Sequence, residues 1–294
     1  MFRTATKTQS KLRMTIDGPA GSGKTYTALR FAHALANGGK IAFIDTERGS
    51  ASKYVGEAPD GIPWQFDVLE LFQFSPEKYT EAINAAGRHG YSVLVIDSLS
   101  HAWEGAGGAL EMKQRLGEAW SAWRHVTPVH TRMIDAILQS PCHVITTMRS
   151  RMEYVQETDD KGRIVVRKVG MAPVQRPGTE YEFDLVCDID WAHIMNVSKS
   201  RCSAVADMIV ERPGPEFLRP VIEWLNAGSP EIRYAMPETP ISSQSEETPL
   251  ITLEQLVNLF GAEAVMMANE GRIPGTNEEL AAIANKLAAQ VNNA

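Results

Sequence analysis

Cysteine is scarce in this sequence, and what there is stands in no useful pattern. Cys142, Cys187 and Cys202 are odd in number and lack the spacing of a metal site. Neither a disulfide framework nor a zinc ribbon organises the chain. Buried reduced thiols and a cytoplasmic setting are expected. No apolar run is long enough to span a bilayer, and the first residues lack a signal-peptide core, so no membrane partner is expected. His125 and His130 are not spaced as a zinc pair and read as structural. There is no convincing internal repeat. There is also no basic excess: the net charge is −7. Residues 231–294 carry nine Glu against Arg233, Arg272 and Lys286, which leaves the preceding residues near neutral. That total does not forbid nucleic acid, because a local basic stripe decides such binding.

What is present begins with Gly18-Pro19-Ala20-Gly21-Ser22-Gly23-Lys24-Thr25. It fits G-x-x-x-x-G-K-[ST], the phosphate-binding P-loop. Glycines let the backbone curl so that its N–H groups face phosphate oxygens. Lys24 supplies charge for the β- and γ-phosphates, and Thr25 a hydroxyl for Mg²⁺. The context agrees: residues 12–16 read as a strand, and Ala28, Leu29, Phe31, Ala32 and Leu35 recur at helical spacing up to Asn37-Gly38-Gly39. ATP and Mg²⁺ are the expected cofactors. Gly18, Gly21, Ser22, Gly23, Lys24, Thr25 and Tyr26 are the expected nucleotide contacts.

Residues 40–44 are a short apolar run that reads as a buried parallel strand, followed by Asp45-Thr46-Glu47. Ligands of open α/β sheets sit at the carboxyl ends of strands. Glu47 is therefore a candidate to orient and deprotonate an attacking water; the plainer alternative is a solvated loop carboxylate. Residues 66–71 read as another strand. Ser75-Pro76 opens a helix that His89-Gly90 closes. Residues 92–97 form a buried strand tipped by Asp97, the Walker B pattern, whose carboxylate supports Mg²⁺ alongside Thr25. Ser98, not a glutamate, follows Asp97.

Farther on, Trp103, Trp120 and Trp123 lie among Lys113, Arg115 and Arg124. They suit either stacking on single-stranded nucleic acid or ordinary packing; Trp120 is expected in the core. A strand over residues 143–148 leads into alternating residues around Asp159-Asp160-Lys161-Gly162, a hairpin turn signal. Arg149, Arg151, Lys161, Arg163, Arg167 and Lys168 make this arm locally basic. It is either a phosphate-tracking loop or a solvated hairpin. Residues 181–189 and 193–197 read as the last strands. Lys199 and Arg201 follow on one face of an extended chain, placed either to reach a neighbouring subunit's γ-phosphate or to sit as a surface pair. Residues 213–225 read as a helix.

These residues resemble a known family. Residues 43–47, 93–97 and 197–201 are similar to the ATPase core of the RecA recombinase superfamily. The stretches 18–25, 44–54, 173–176 and 180–184 are closer to phage and prophage RecA-like proteins of the Sak class, which act in single-strand annealing and recombination. The similarity spans about residues 11–226. It implies a RecA-like α/β fold with a mostly parallel sheet flanked by helices. By the same resemblance Glu47 is the catalytic glutamate and Tyr54 an adenine-stacking residue. Lys199 and Arg201 reach across a subunit interface, and the segments after His101 and Arg149 are DNA-binding loops. Thr147 stands where RecA proteins carry a longer glutamine.

The chain divides by composition into a core over residues 1–227, a Pro/Ser/Glu-rich linker over 228–250 and an acidic helical hairpin over 251–294, with capping-box matches at Thr252 and Thr276. The expected activity is Mg-ATP hydrolysis by a homo-oligomer, ring or filament, on single-stranded DNA in recombination, with a single-strand-binding protein as a further possible partner. An ATPase motor or loader gripping a protein partner and a nucleotide-gated scaffold stay open as alternatives.

Overall fold

A computed structural model of the chain describes residues 4–117, 119–158, 164–229 and, beyond these, 257, 264, 267, 268, 279, 280, 282–284, 286 and 287. Contacts divide it into one unit over Met1–Glu231 and a second over Ile232–Ala294. The described residues of the second unit are helical, and Ile283 and Leu287 are buried there with Val257, Ala264, Ala268, Leu280 and Ala284 against them. Most of the linker, Thr252 and Thr276 lie outside the described residues, as do the hairpin tip at Asp159-Asp160-Lys161-Gly162 and Arg163.

The first unit is built on a mixed sheet of nine strands among the described residues. Its central strands are β1 (Arg13–Gly18), β2 (Ile41–Asp45), β4 (Val93–Asp97) and β5 (His143–Thr158), with β3 (Asp67–Glu70) on one flank. Their spatial order is β3-β2-β4-β5-β1, every pairing parallel. On the far side of β1 comes β7 (Leu185–Ile189), parallel to it, and then β8 (Ile194–Ser200) and β9 (Ile209–Glu211), both antiparallel. β6 (Ile164–Pro173) pairs with the outer part of β5 alone.

The apolar runs that read as strands are buried because both faces are covered. Side chains alternate between faces along a strand. Val93 and Val95 of β4 join the cluster with Leu29, Phe31 and Ala32 of α1 (Lys24–Ala36) and Phe217 and Leu218 of α6 (Pro215–Asn226). Leu94 and Ile96 join the opposite cluster with Tyr79 and Ile83 of α2 (Pro76–Arg88) and with Met133 and Ile137 of α5 (Trp123–Gln139). The result is a helix–sheet–helix sandwich. Phe31 and Phe217 stack with centroids 5.5 Å apart and tie α1 to α6. Ser75 caps α2 with Pro76 at its first turn, as its sequence signals require. Cys142, Cys187 and Cys202 are buried thiols. Among the described residues no helix is long and apolar enough to cross a membrane.

Two local expectations need correction. Trp120 is 85% exposed, not in the core. It sits on a 3-10 turn over Trp120–Ala122 whose inward position is taken by Ala122, with Val126 buried one turn on. The run from Tyr181 is not yet strand: Thr179–Glu182 is a 3-10 turn, entered through Gly178, and β7 starts at Leu185. The segment after His101 carries two short helices, α3 (His101–Glu104) and α4 (Ala109–Arg115).

Candidate active site

The P-loop leaves the end of β1. Gly18 is required there by a close approach: a Cβ would lie 2.2 Å from the Ile189 carbonyl oxygen of neighbouring β7. Gly23 has φ 93° and delivers the chain into the first turn of α1, a conformation that costs glycine little. Lys24 Nζ donates to the Pro19 carbonyl at 2.7 Å, folded back over its own loop. Its pKa is lowered by burial, against the attraction of Asp97 and Glu47 and with the help of Arg149. Ser22 Oγ is buried without a partner. An orphaned hydroxyl, an ammonium and a free helix N-terminus in one concave loop fit a polyphosphate.

Asp97 ends β4. Thr25 Oγ1 donates to its Oδ2 at 2.5 Å, and Thr147 on β5 donates to its Oδ1. Burial pushes the Asp97 pKa up, opposed by these two hydrogen bonds. Among the described residues no group of three or more metal-ligating side chains gathers. A magnesium ion here would be held by Thr25, Asp97 and the phosphates of the nucleotide, the usual economy of that ion.

Glu47 is positioned from the next strand. Asp45 and Asp97 are register partners on β2 and β4, so their carboxyl ends lie side by side. Asp45 then caps its own loop, its carboxylate accepting from the Glu47 N–H at 2.6 Å and the Ala51 N–H at 3.1 Å. The Thr46 N–H donates to the Asp97 carbonyl at 2.8 Å and binds the loop to the Walker B strand. Glu47 itself is gripped by Arg149: Nη2 lies 2.7 Å from Oε1 and 2.8 Å from Oε2, and Nε lies 3.1 Å from Oε1. His101 Nε2 is 4.0 Å from the same Oε1, and its Nδ1 is 2.6 Å from Thr46 Oγ1. The His101 pKa is lowered by burial and by the Arg149 charge.

The structure thus brings Lys24, Thr25, Glu47 and Asp97 to one end of the sheet. It does not bring Lys199 and Arg201 there. β8 runs antiparallel to β7, so Ser200 pairs with Leu185, at the opposite end of β7 from the P-loop. Lys199 donates to the Glu180, Tyr181 and Phe183 carbonyls, and Arg201 pairs with Asp184 at 2.8 Å. They cannot serve the P-loop of their own chain. Tyr26, on α1, and Tyr54 are half-buried with ring centroids 6.0 Å apart, and Trp64 lies 5.1 Å from Tyr26. Of the candidate DNA residues, Arg149 and Arg151 are both exposed, and Arg149 is paired with Glu47. Arg167 and Lys168 fall on β6, opposite Val155 and Tyr154. Lys161 and Arg163 lie outside the described residues.

Sequence reasoning missed several neighbours of the loop. Trp191 Nε1 donates to the Ala20 carbonyl at 3.1 Å, and His193 Nδ1 lies 3.0 Å from the Ser22 carbonyl oxygen, so the turn after β7 braces the P-loop. Asp17 and Asp188 are register partners on β1 and β7. Burial, and then the Asp188 charge, push the Asp17 pKa up to about 8. An acid one residue before the P-loop, beside a second strand ending in Asp188, was the available signal for that pair.

With this geometry in view, the comparison with protein families is informative. The AAA domain family (AAA_24) matches residues 10–206, which takes in every element from β1 to β8. The chain belongs to that family: its first unit is an AAA/P-loop NTPase-like domain, a class that binds and hydrolyses nucleotides. Among curated proteins none matches the chain.

Proposed function

We propose that this protein is a self-assembling, Mg-ATP-dependent ATPase that acts on single-stranded DNA in phage or prophage recombination. The observation that carries the hydrolytic part is the convergence of Glu47, Asp97 and Lys24 on one strand-end cleft. In this reading Lys24 and the loop N–H groups hold the β- and γ-phosphates. Thr25 and Asp97 hold the metal, which when bound neutralises charge on the phosphate oxygens. Glu47 orients water and takes its proton. The DNA part is supported by the basic arm after Arg149 and by the resemblance to the Sak class. Self-assembly is supported by Lys199 and Arg201, which stand too far round the sheet to serve their own site and suit a neighbour's instead.

The test is steady-state ATP hydrolysis against protein concentration, with and without single-stranded DNA. Turnover per subunit should rise with concentration and rise again with DNA. Turnover that rises with concentration but ignores DNA would favour a motor on a protein partner. Bound ATP with no turnover under any condition would favour a nucleotide-gated scaffold.

A further inference from the structure

Two carbonyls of the P-loop are held from outside it. Trp191 Nε1 donates to the Ala20 carbonyl, and His193 Nδ1 stands at hydrogen-bond distance from the Ser22 carbonyl oxygen. A carbonyl only accepts, so Nδ1 carries the proton there. Both side chains come from the turn between β7 and β8, which is itself closely bonded. Asp190 Oδ1 accepts from the Ala192 and Ile194 N–H groups, each at 2.9 Å. The His193 N–H donates to the Asp190 carbonyl at 3.0 Å, and the His193 carbonyl accepts from the Arg212 N–H at 2.8 Å. His193 closes the turn at φ 61°. Glycine is the usual occupant of a left-handed turn position; here the position carries an imidazole, and the imidazole is on the P-loop. Trp191 stays 66% exposed, so it adds little to the core, and its indole N–H is the part the loop uses.

The direction of a carbonyl decides the direction of the next N–H. A trans peptide unit is planar, and its C=O and N–H point opposite ways. The Ala20–Gly21 and Ser22–Gly23 bonds are both trans. Fixing the Ala20 and Ser22 oxygens on the β7–β8 turn therefore turns the Gly21 and Gly23 N–H groups away from it. Among the described residues neither N–H meets an acceptor in the protein. Gly21 and Gly23 stand at φ 80° and 93°, and a glycine backbone by itself selects no single peptide orientation. Two outside donors supply the selection. We propose that Trp191 and His193 are positioning residues that set these two peptide planes, so that the Gly21 and Gly23 N–H groups converge on the phosphates of a bound nucleotide. This rests on the nucleotide-binding reading of the P-loop. The ligand class the pair serves is polyphosphate, because both donors act on the phosphate cradle and neither acts on a base.

The experiment uses the full-length chain and its Trp191→Phe, His193→Gly and His193→Asn variants, with ligand-free unfolding temperatures checking that each is folded. Affinities for ATP and for inorganic tripolyphosphate are measured by equilibrium binding with Mg²⁺ present. Trp191→Phe keeps an aromatic ring and loses the N–H. His193→Gly suits the backbone and loses the donor. Each should weaken both ligands by the same factor, about fivefold. His193→Asn also suits the backbone and carries an amide N–H in the place of Nδ1, so it should bind both ligands much as the wild type does. Folded Trp191→Phe and His193→Gly variants with wild-type affinity for tripolyphosphate overturn the proposal. A loss for ATP with none for tripolyphosphate overturns it too, and assigns the turn to the nucleoside. Equal losses in His193→Asn and His193→Gly overturn the role of the imidazole N–H. A wild type that binds neither ligand overturns the nucleotide reading itself, and the proposal with it.

Discussion

Strand β5 runs unbroken from His143 to Thr158, but its two parts live in different surroundings. Over residues 143–148 it has parallel neighbours on both sides, β1 and β4, and Val144, Ile145, Thr146, Thr147 and Met148 are all buried. From Ser150 its ladder runs to β6, antiparallel, and Arg149 at the boundary and Arg151 beyond it are exposed. The inner part can hold Thr147 against Asp97 because packing fixes it from both faces. The outer part is paired with β6. The difference teaches how the site divides: Asp97, the candidate metal carboxylate, is held by the buried part of β5, and the contact to the candidate base comes from the boundary itself.

The strongest way to break this comparison is at the base. Glu47→Gln keeps the loop hydrogen bonds, which are made by the Glu47 backbone and Asp45, and removes the carboxylate charge, with it the proton acceptor and the ion pair to Arg149. Turnover should fall by about a thousandfold with ATP affinity nearly unchanged. A comparable loss of affinity would mean that Glu47 builds the pocket and performs no proton transfer.

The next test sets the two parts of β5 against each other in stability. Ile145 is fully buried in the inner part. Ile145→Ala removes three carbons from a packed interior and should cost about 2–5 kcal/mol. Arg151 is exposed, and Arg151→Ala should stay within about 0.5 kcal/mol. Denaturant midpoints of the two variants read the contrast directly. Equal losses would show the arm to be part of the cooperative core.

Much of the inner region was legible in the sequence. Buried parallel strands announce themselves as short apolar runs, and the carboxyl-end rule carried Glu47 and Asp97 to one edge of the sheet. The same rule applies to Arg149, which ends an apolar run as Asp97 does. It was grouped with the arm's other cations because composition weighs charges together and says nothing of which way a side chain turns. Asp17 and Asp188 were hidden for a related reason, since they are 171 positions apart and meet only through the pairing of β1 with β7. Trp120 was misplaced because a tryptophan in a helical stretch carries no mark of its face. The antiparallel end strand β9 is short, and its residues are half-buried or exposed, so no periodicity signals it.

The last test asks whether the boundary is also electrostatic. Ser150, the first residue of the outer part, donates to Asp17 Oδ1 at 2.8 Å. Asp17 is raised from an ordinary 3.8 to about 8, first by burial and then by Asp188. The sign follows from linkage. Between those two values the folded chain holds a proton that the unfolded chain has released. Folding takes up that proton, so stability falls as pH rises through the window, by up to about 1.4 kcal/mol per pH unit. Above it both forms are ionised and the loss levels off. Asp17→Asn keeps a neutral polar group and has nothing to titrate. Unfolding measured at about pH 5.5 and about pH 7.5 should show a clear drop in the wild type and a smaller one in the variant. The variant should be the more stable of the two at the higher pH. An identical drop in both would place the pH dependence in groups other than Asp17, and not at His143, whose pKa is pushed down to about 4 by burial and the nearby Lys11 and Arg13 charges. Its slope has the opposite sign, because a histidine held neutral in the fold gains stability as pH rises toward its unfolded value. The direction of the residual slope therefore tells the two ends of the central sheet apart.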